Sequence, residues 1–151
     1  MSKRRWGAPT WMFMHTLVAH VRPESYSIMK QPMLDFIRRI ASVLPCPDCS
    51  AHATEYLRNI DTRRLPTKES FTDMLWTFHN TVNLRLGKSV SPRSTLDLYR
   101  KANMQHMYVV FCTEYTRPLH NIRLIAEDTA RRGIIGNMTR WLQSNRRHFT
   151  I

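Results

Sequence analysis

The chain has 151 residues, 42% hydrophobic and 23% charged, with four glycines and eight prolines. That is the size of one globular domain and excludes repeat arrays, collagen-like or linker architecture and disorder throughout. Twenty-three Lys and Arg against eleven Asp and Glu leave a net charge of +12, a field that attracts phosphates, nucleic acid or acidic proteins without choosing among them.

The basic start, Met1 to Arg5, is similar to the charged part of a signal peptide. Pro9, Thr10 and His15 interrupt the apolar stretch beyond it and no small-residue cleavage site appears, so an unprocessed N-terminus is expected. The longest apolar runs, Trp11 to Met14 and Val109 to Cys112, fall far short of the ~20 residues of a membrane helix, which predicts a soluble protein without membrane contact. Three cysteines are an odd count for a secreted disulfide scaffold and point to redox chemistry or metal binding in a cytosolic setting.

Residues 8 to 21 space Trp11, Met14, Leu17, Val18 and Val21 as a helix does, with Pro9 suited to its first turn, so a first helix is expected just after the basic tail. Met29, Met33, Phe36, Ile37, Ile40 and Leu44 repeat the pattern over 29–44, and Pro45 stops it. A third helix opens at Pro47 with Ala53, Tyr56, Leu57 and Ile60 on one side; 59–67 reads as a loop. Phe71, Leu75, Phe78 and Val82 stripe a regular helix over 70–86, and a short helix over 94–101 follows the turn at Gly87 to Pro92. Met107 to Cys112 fits helix or strand, Leu119 to Arg132 is amphipathic and is expected to stop at Gly133, and 138–143 reads as a last short helix. No period-two segment of useful length occurs. The expected fold is all-α: a four-helix bundle with a short fifth helix and a mostly helical C-terminal extension.

Cys46-Pro47-Asp48-Cys49 joins a cysteine pair to a helix start. The first helical turn brings such side chains together, which allows a disulfide. A capping thiolate at Cys46 faces the orphan N–H groups and the positive helix end, which readies it for exchange, while Asp48 works against it. Zinc held by Cys46, Cys49, His52 and either Cys112 or a distant histidine ranks below redox use, because no second C-x-x-C exists. A thioredoxin-like arrangement would need a parallel sheet.

On the fourth helix Trp76, His79, Asn80, Asn83 and Gly87 share an arc of roughly 100°, well apart from the apolar stripe. Asparagines in mid-helix carry a propensity cost. Rings and carboxamides suit a planar heteroaromatic ligand, with Arg85 or Lys88 available for a phosphate; hydrogen bonding between helices of the bundle explains the face equally well. Trp11 and His15 form a second such pair, one turn apart on the first helix.

Gly7-Ala-Pro-Thr-Trp11-Met-Phe-Met-His15, Pro45-Cys46-Pro47-Asp48-Cys49-Ser50-Ala51-His52 and the run Trp76 to Lys88 resemble the Erv/ALR family of FAD-linked sulfhydryl oxidases. Leu98-Tyr99-Arg100 is similar to that family's fifth-helix segment. The resemblance covers roughly residues 6 to 101. It implies a bundle over residues 1–101 holding FAD non-covalently, as a homodimer, with a Cys46–Cys49 redox disulfide. Cys46 would be attacked by substrate and Cys49 would face the flavin. Gly7, Trp11, His15, His52, Trp76, His79, Asn80, Asn83, Lys88, Tyr99 and Arg100 would bind the cofactor, and no metal is implied. The implied reaction turns protein thiols and dioxygen into disulfides and hydrogen peroxide.

The second cysteine pair that many family members carry on a flexible tail is missing. Only Cys112 remains, and the apolar run leading into it reads as buried. Compact members from large DNA viruses are similar in this respect and rely on a separate small thiol protein. The expectation is therefore a viral, cytoplasmic enzyme, in host cytoplasm or virion, served by a thiol-containing substrate or a small dithiol carrier protein. Residues 102–151 match no family motif. Arg131, Arg132, Arg140, Arg146 and Arg147 make them basic, a solvated or docking face on the bundle or a partner subunit ahead of a nucleic-acid surface. The rival reading is a zinc-stabilised, basic helical module that binds nucleic acid.

Overall fold

The computed structural model describes residues 3–119 and 125–150. Its first helix, α1 (Lys3–His20), starts ahead of Pro9 instead of at it. Pro9 therefore sits inside the helix, where it offers no N–H to the Arg5 carbonyl. The turn holds because Trp6 is buried and its carbonyl accepts the Thr10 hydroxyl at 2.6 Å. Lys3, Arg4 and Arg5 of the basic segment are thus part of the helix, a correction to its reading as a tail.

A 3-10 turn at Pro23–Ser25 leads into α2 (Tyr26–Ser42), which Val43 closes just before Pro45. Helix α3 (Pro47–Arg58) opens as its sequence predicts: Pro47 occupies the first turn and the Cys46 sulfur accepts the Cys49 N–H at 3.3 Å. Helix α4 (Lys68–Arg85) begins with a reciprocal cap between Thr67 and Ser70. It ends where Gly87, at φ 71°, turns the chain. There Lys88 N–H reaches the Asn83 carbonyl at 2.8 Å and Gly87 N–H the Leu84 carbonyl at 3.1 Å, the paired closure that a residue of positive φ allows. Helix α5 (Leu96–Lys101) follows a 3-10 turn at Arg93–Thr95.

The ambiguous stretch around Met107 is helical, within α6 (Met104–Tyr115). Two expected C-terminal segments are one helix: α7 (Ile125–Ser144) runs through Gly133 and Gly136. Of the amphipathic segment expected from Leu119, residues 120–124 lie outside the described residues. Helical glycine costs about 1 kcal/mol relative to alanine. Here Met138 is wholly buried, Ile134, Ile135 and Trp141 pack on the core, and the Tyr108 hydroxyl bonds Thr139 at 2.7 Å, contacts that offset the cost.

The described residues form an all-α structure of seven α-helices. Helix α1 packs against α4, α5 and α6, while α2 packs against α3 and α7. The C-terminal extension shares one core with the bundle: Phe111, Tyr115 and Met138 join Phe13, Leu17, Ile37, Ile40, Phe71 and Leu75. The chain end is fastened to the α1–α2 junction, with Arg22 N–H on the His148 carbonyl and Thr150 N–H on the His20 carbonyl, each at 2.8 Å.

Candidate functional site

A cavity of about 360 Å³ lies between α1, α3 and α4, with Tyr99 of α5 at its wall. Of the residues singled out in the sequence, Gly7, Trp11, Cys49, His52, His79, Asn83, Lys88 and Tyr99 line it. Cysteine and aromatic residues from separate helices therefore meet in one space. Cys49 gets there because Pro47 and the Cys46 cap start α3 at the end of the α2 turn. Lys88, exposed, is set at the rim by the Gly87 closure of α4.

The aromatic part is built from two stacked pairs. The Trp11 indole and the His79 imidazole lie 4.2 Å apart and nearly parallel, at 7°. His15 stacks on Tyr99 at 4.3 Å and 9°. A hydrogen bond of 3.1 Å between His15 Nε2 and His79 Nδ1 joins the pairs, so α1, α4 and α5 meet through ring contacts. Phe78 closes the floor, edge-on to Trp11 and stacked on Tyr56 of α3.

Burial sets the electrostatics. Desolvation, with His79 beside it, lowers the His15 pKa to about 3; desolvation, with Lys88 nearby, lowers that of His79 to about 4. Both imidazoles are therefore neutral at physiological pH. Burial also raises the Tyr99 phenol, which stays protonated. The cage is uncharged, and its cations, Arg85 and Lys88, stand at the exposed margin.

Five of the sequence-selected residues do not line this cavity. Cys46 is half-buried in the turn before α3. Asn80 is a fastener: its Oδ1 accepts Ser91 N–H at 2.8 Å and Asn83 Nδ2 at 3.3 Å, and its Nδ2 donates to the Ser91 carbonyl. Part of the asparagine cost on α4 is thus offset by holding the loop after Gly87. His15 and Arg100 border a second cavity of about 330 Å³, which Tyr99 also touches. Arg100 pairs with Asp97 at 2.6 Å. Trp76 lies beneath the Arg93 guanidinium, and its indole N–H is buried without a hydrogen-bond partner.

Sequence reasoning misses Trp6, Met12, Met14, Leu44, Phe78, Val82 and Leu86 as wall residues. Trp6, Thr10 and Met14 are spaced one turn apart, a signal that is lost when Pro9 is taken as the helix start. Cys112 lies outside the cavity, half-buried against the core, and burial raises its thiol pKa. Among the described residues no three His, Cys, Asp or Glu side chains gather as a metal-ligand set, so the zinc reading finds no assembled site there. None of the described helices is long and apolar enough to cross a membrane.

A family model described as the Erv1/Alr family matches residues 8–106. The chain is 32% identical over 97 residues to the FAD-linked sulfhydryl oxidase ERV1 of Arabidopsis thaliana, covering 64% of this chain and 50% of that protein. It is 32% identical over 100 residues to protein 347L of Invertebrate iridescent virus 6, covering 59% and 86%. With the FAD-linked sulfhydryl oxidase of African swine fever virus (isolate Pig/Kenya/KEN-50/1950) it shares 29% over 85 residues, 56% of this chain and 71% of that one. The chain thus spans about half the length of the plant relative. No solved structure matches it.

Proposed function

The chain belongs to the Erv1/Alr family, and on that premise we propose that it is an FAD-dependent thiol oxidase that makes disulfides in protein substrates through a Cys46–Cys49 redox pair. The observation that carries this reading is that Cys49 shares one cavity with Trp11, His79 and Tyr99.

The residues present fit the cofactor. A cavity of about 360 Å³ walled by flat rings and apolar side chains suits a tricyclic ring system. Trp11, His79, Tyr99 and Gly7 would hold it, with His52 and Asn83 at its polar edges and Lys88 at the rim for phosphate charge. His15, Asn80 and Arg100 would act from behind this layer: His15 by fixing His79 and Tyr99, Asn80 by fixing Asn83, and Arg100 from the side of the second cavity, while Trp76 would act only through Arg93, which lines that cavity.

The exchange steps come from sulfur chemistry. A substrate thiolate attacks the Cys46 sulfur; a substrate–Cys46 bond forms, the Cys46–Cys49 bond breaks, and Cys49 leaves as a thiolate into the cavity. A second substrate thiol, losing its proton, attacks the substrate sulfur of that mixed disulfide, releasing product disulfide and the Cys46 thiolate. What supports this division of labour is that Cys49 lines the cavity while Cys46 caps α3 outside it. When bound, FAD would supply the two-electron chemistry: the pair of electrons released as the Cys46 and Cys49 thiolates re-form their bond would pass through it to dioxygen, giving hydrogen peroxide. With His79 neutral, the charge of a Cys49 thiolate would meet mostly apolar side chains in this cavity.

The proposal extends to the organisation and setting of the protein. Residues 1–101 form the flavin-binding unit and 102–151 an extension packed on it, and the enzyme works as a homodimer. These 151 residues hold one cysteine besides the Cys46–Cys49 pair, Cys112, and in this proposal a thiol-containing protein or a small dithiol carrier brings electrons to Cys46. The same cysteine count does not make a secreted disulfide framework, which favours the cytoplasm, of a host cell for a viral chain. The test is oxygen uptake with dithiothreitol by purified full-length protein. Uptake with peroxide formation, lost in Cys46→Ala and Cys49→Ala, supports the proposal; a folded protein that takes up no oxygen refutes it.

A further inference from the structure

Arg131 of α7 is wholly buried, yet it belongs to neither the cavity nor the cysteine turn. Its Nη2 donates to Asp128 Oδ1 at 2.6 Å, and its Nη1 crosses to α2 and donates to the Val43 carbonyl at 3.2 Å. Beside it Tyr115 of α6, also wholly buried, donates its hydroxyl to the Ile40 carbonyl at 3.0 Å. Carbonyls at the end of a helix lack full internal partners, and a cation there complements the helix dipole. Both donors that reach the end of α2 come from the C-terminal extension.

Val43 is followed by Leu44, Pro45 and Cys46, and that turn is fixed at each step. Leu44 N–H donates to the Ser50 hydroxyl at 2.6 Å, Ser50 N–H to the Cys46 carbonyl at 3.0 Å, and Cys49 N–H to the Cys46 sulfur at 3.3 Å. A buried ion pair such as Arg131 with Asp128 is weak ground for a purely stabilising role, because apolar residues of similar volume often replace such pairs at little or no cost. What they cannot do is bond a carboxylate and a distant carbonyl at once, which a guanidinium fork does.

We propose that Arg131, anchored by Asp128 and assisted by Tyr115, is a positioning residue for the redox pair: it clamps the end of α2 so that Cys46 and Cys49 keep their register against the cavity. The C-terminal extension is thereby a working part of the cysteine site. This rests on the thiol-oxidase reading of the chain.

The test compares the full-length wild type with the Asp128→Leu/Arg131→Met double variant, which leaves no buried charge unpaired, and with Tyr115→Phe and Arg131→Lys, which retain most of the packing. Amide exchange over residues 43–50, flavin content, melting temperature and dithiothreitol kinetics are measured. In the double variant, exchange at Leu44 and Cys49 accelerates about tenfold and kcat/KM for dithiothreitol falls about tenfold, the scale of a small misplacement of reacting groups. Flavin content and melting temperature stay as in the wild type, and the two single variants move the same way by less. Unchanged exchange in folded variants overturns the proposal, and so does faster exchange with unchanged kcat/KM. The exchange comparison needs no cofactor, so a wild type that binds no flavin refutes the oxidase reading separately.

Discussion

His15 Nε2 and His79 Nδ1 stand 3.1 Å apart, one on α1 and one on α4, with each ring stacked on a further aromatic side chain. One nitrogen must donate and the other accept, so the contact exists only while at least one imidazole is neutral. It joins the two faces that the sequence presents separately, and it makes the cage sensitive to acid.

Unfolded histidine takes its proton near 6.5, whereas folded His15 does so only at about 3 and His79 at about 4. Between these values the unfolded chain binds more protons, so the contribution is complete above pH 6.5 and is lost as pH falls towards 4 and below. For His15 the slope is on the order of 1 kcal/mol per pH unit. Urea unfolding midpoints between pH 7 and pH 4 should fall steeply in the wild type and less steeply in His15→Gln. Equal slopes in the two proteins would contradict this.

Asn80→Ala removes the side chain that holds Ser91 and Asn83, and Asn80 is only 7% exposed. The expected loss is about 1–2 kcal/mol, since the Ser91 N–H is left without its partner, although alanine is the better helix former. Thermal unfolding measures it. A variant more stable than the wild type would mean that the loop finds another anchor.

An alanine at Gly87 would have open space for its Cβ, so the cost is one of backbone alone, at φ +71°. About 1–2 kcal/mol is expected for a left-handed position. Because Lys88 is set at the cavity rim by this turn, Gly87→Ala should also weaken retention of flavin during gel filtration. Flavin retained as in the wild type, at lowered stability, would separate the turn from the site.

Cys112 is a packing residue on this account, with its thiol kept protonated by burial. Cys112→Ala should therefore turn over dithiothreitol as the wild type does, while Cys46→Ala and Cys49→Ala do not. A loss of turnover in Cys112→Ala without loss of fold would make Cys112 part of the electron path.

What is legible in the sequence is local. Pro47 and the capping cysteine mark the start of α3 within one turn, and Trp11 and His15 are neighbours through helical spacing alone. Signals decided by tertiary contact mislead. Pro9 looks like a helix start because the burial of Trp6, which carries α1 back to Lys3, depends on the packing of the bundle. Gly133 looks like a stop because the contacts of Met138 and Tyr108 that carry α7 through it are remote in sequence. The polar face of α4 divides between two uses, and only the position of the Ser91 loop reveals that Asn80 serves the fold while His79 faces the cavity.

The most direct test of the central claim is anaerobic titration of the purified protein with dithiothreitol, monitored by its visible absorption spectrum. The account predicts a yellow protein whose flavin band is bleached by dithiol, restored by admitting oxygen, and left unbleached in Cys49→Ser at the same flavin content. A flavin band that bleaches equally fast in Cys49→Ser, or a folded protein with no flavin band at all, would contradict it.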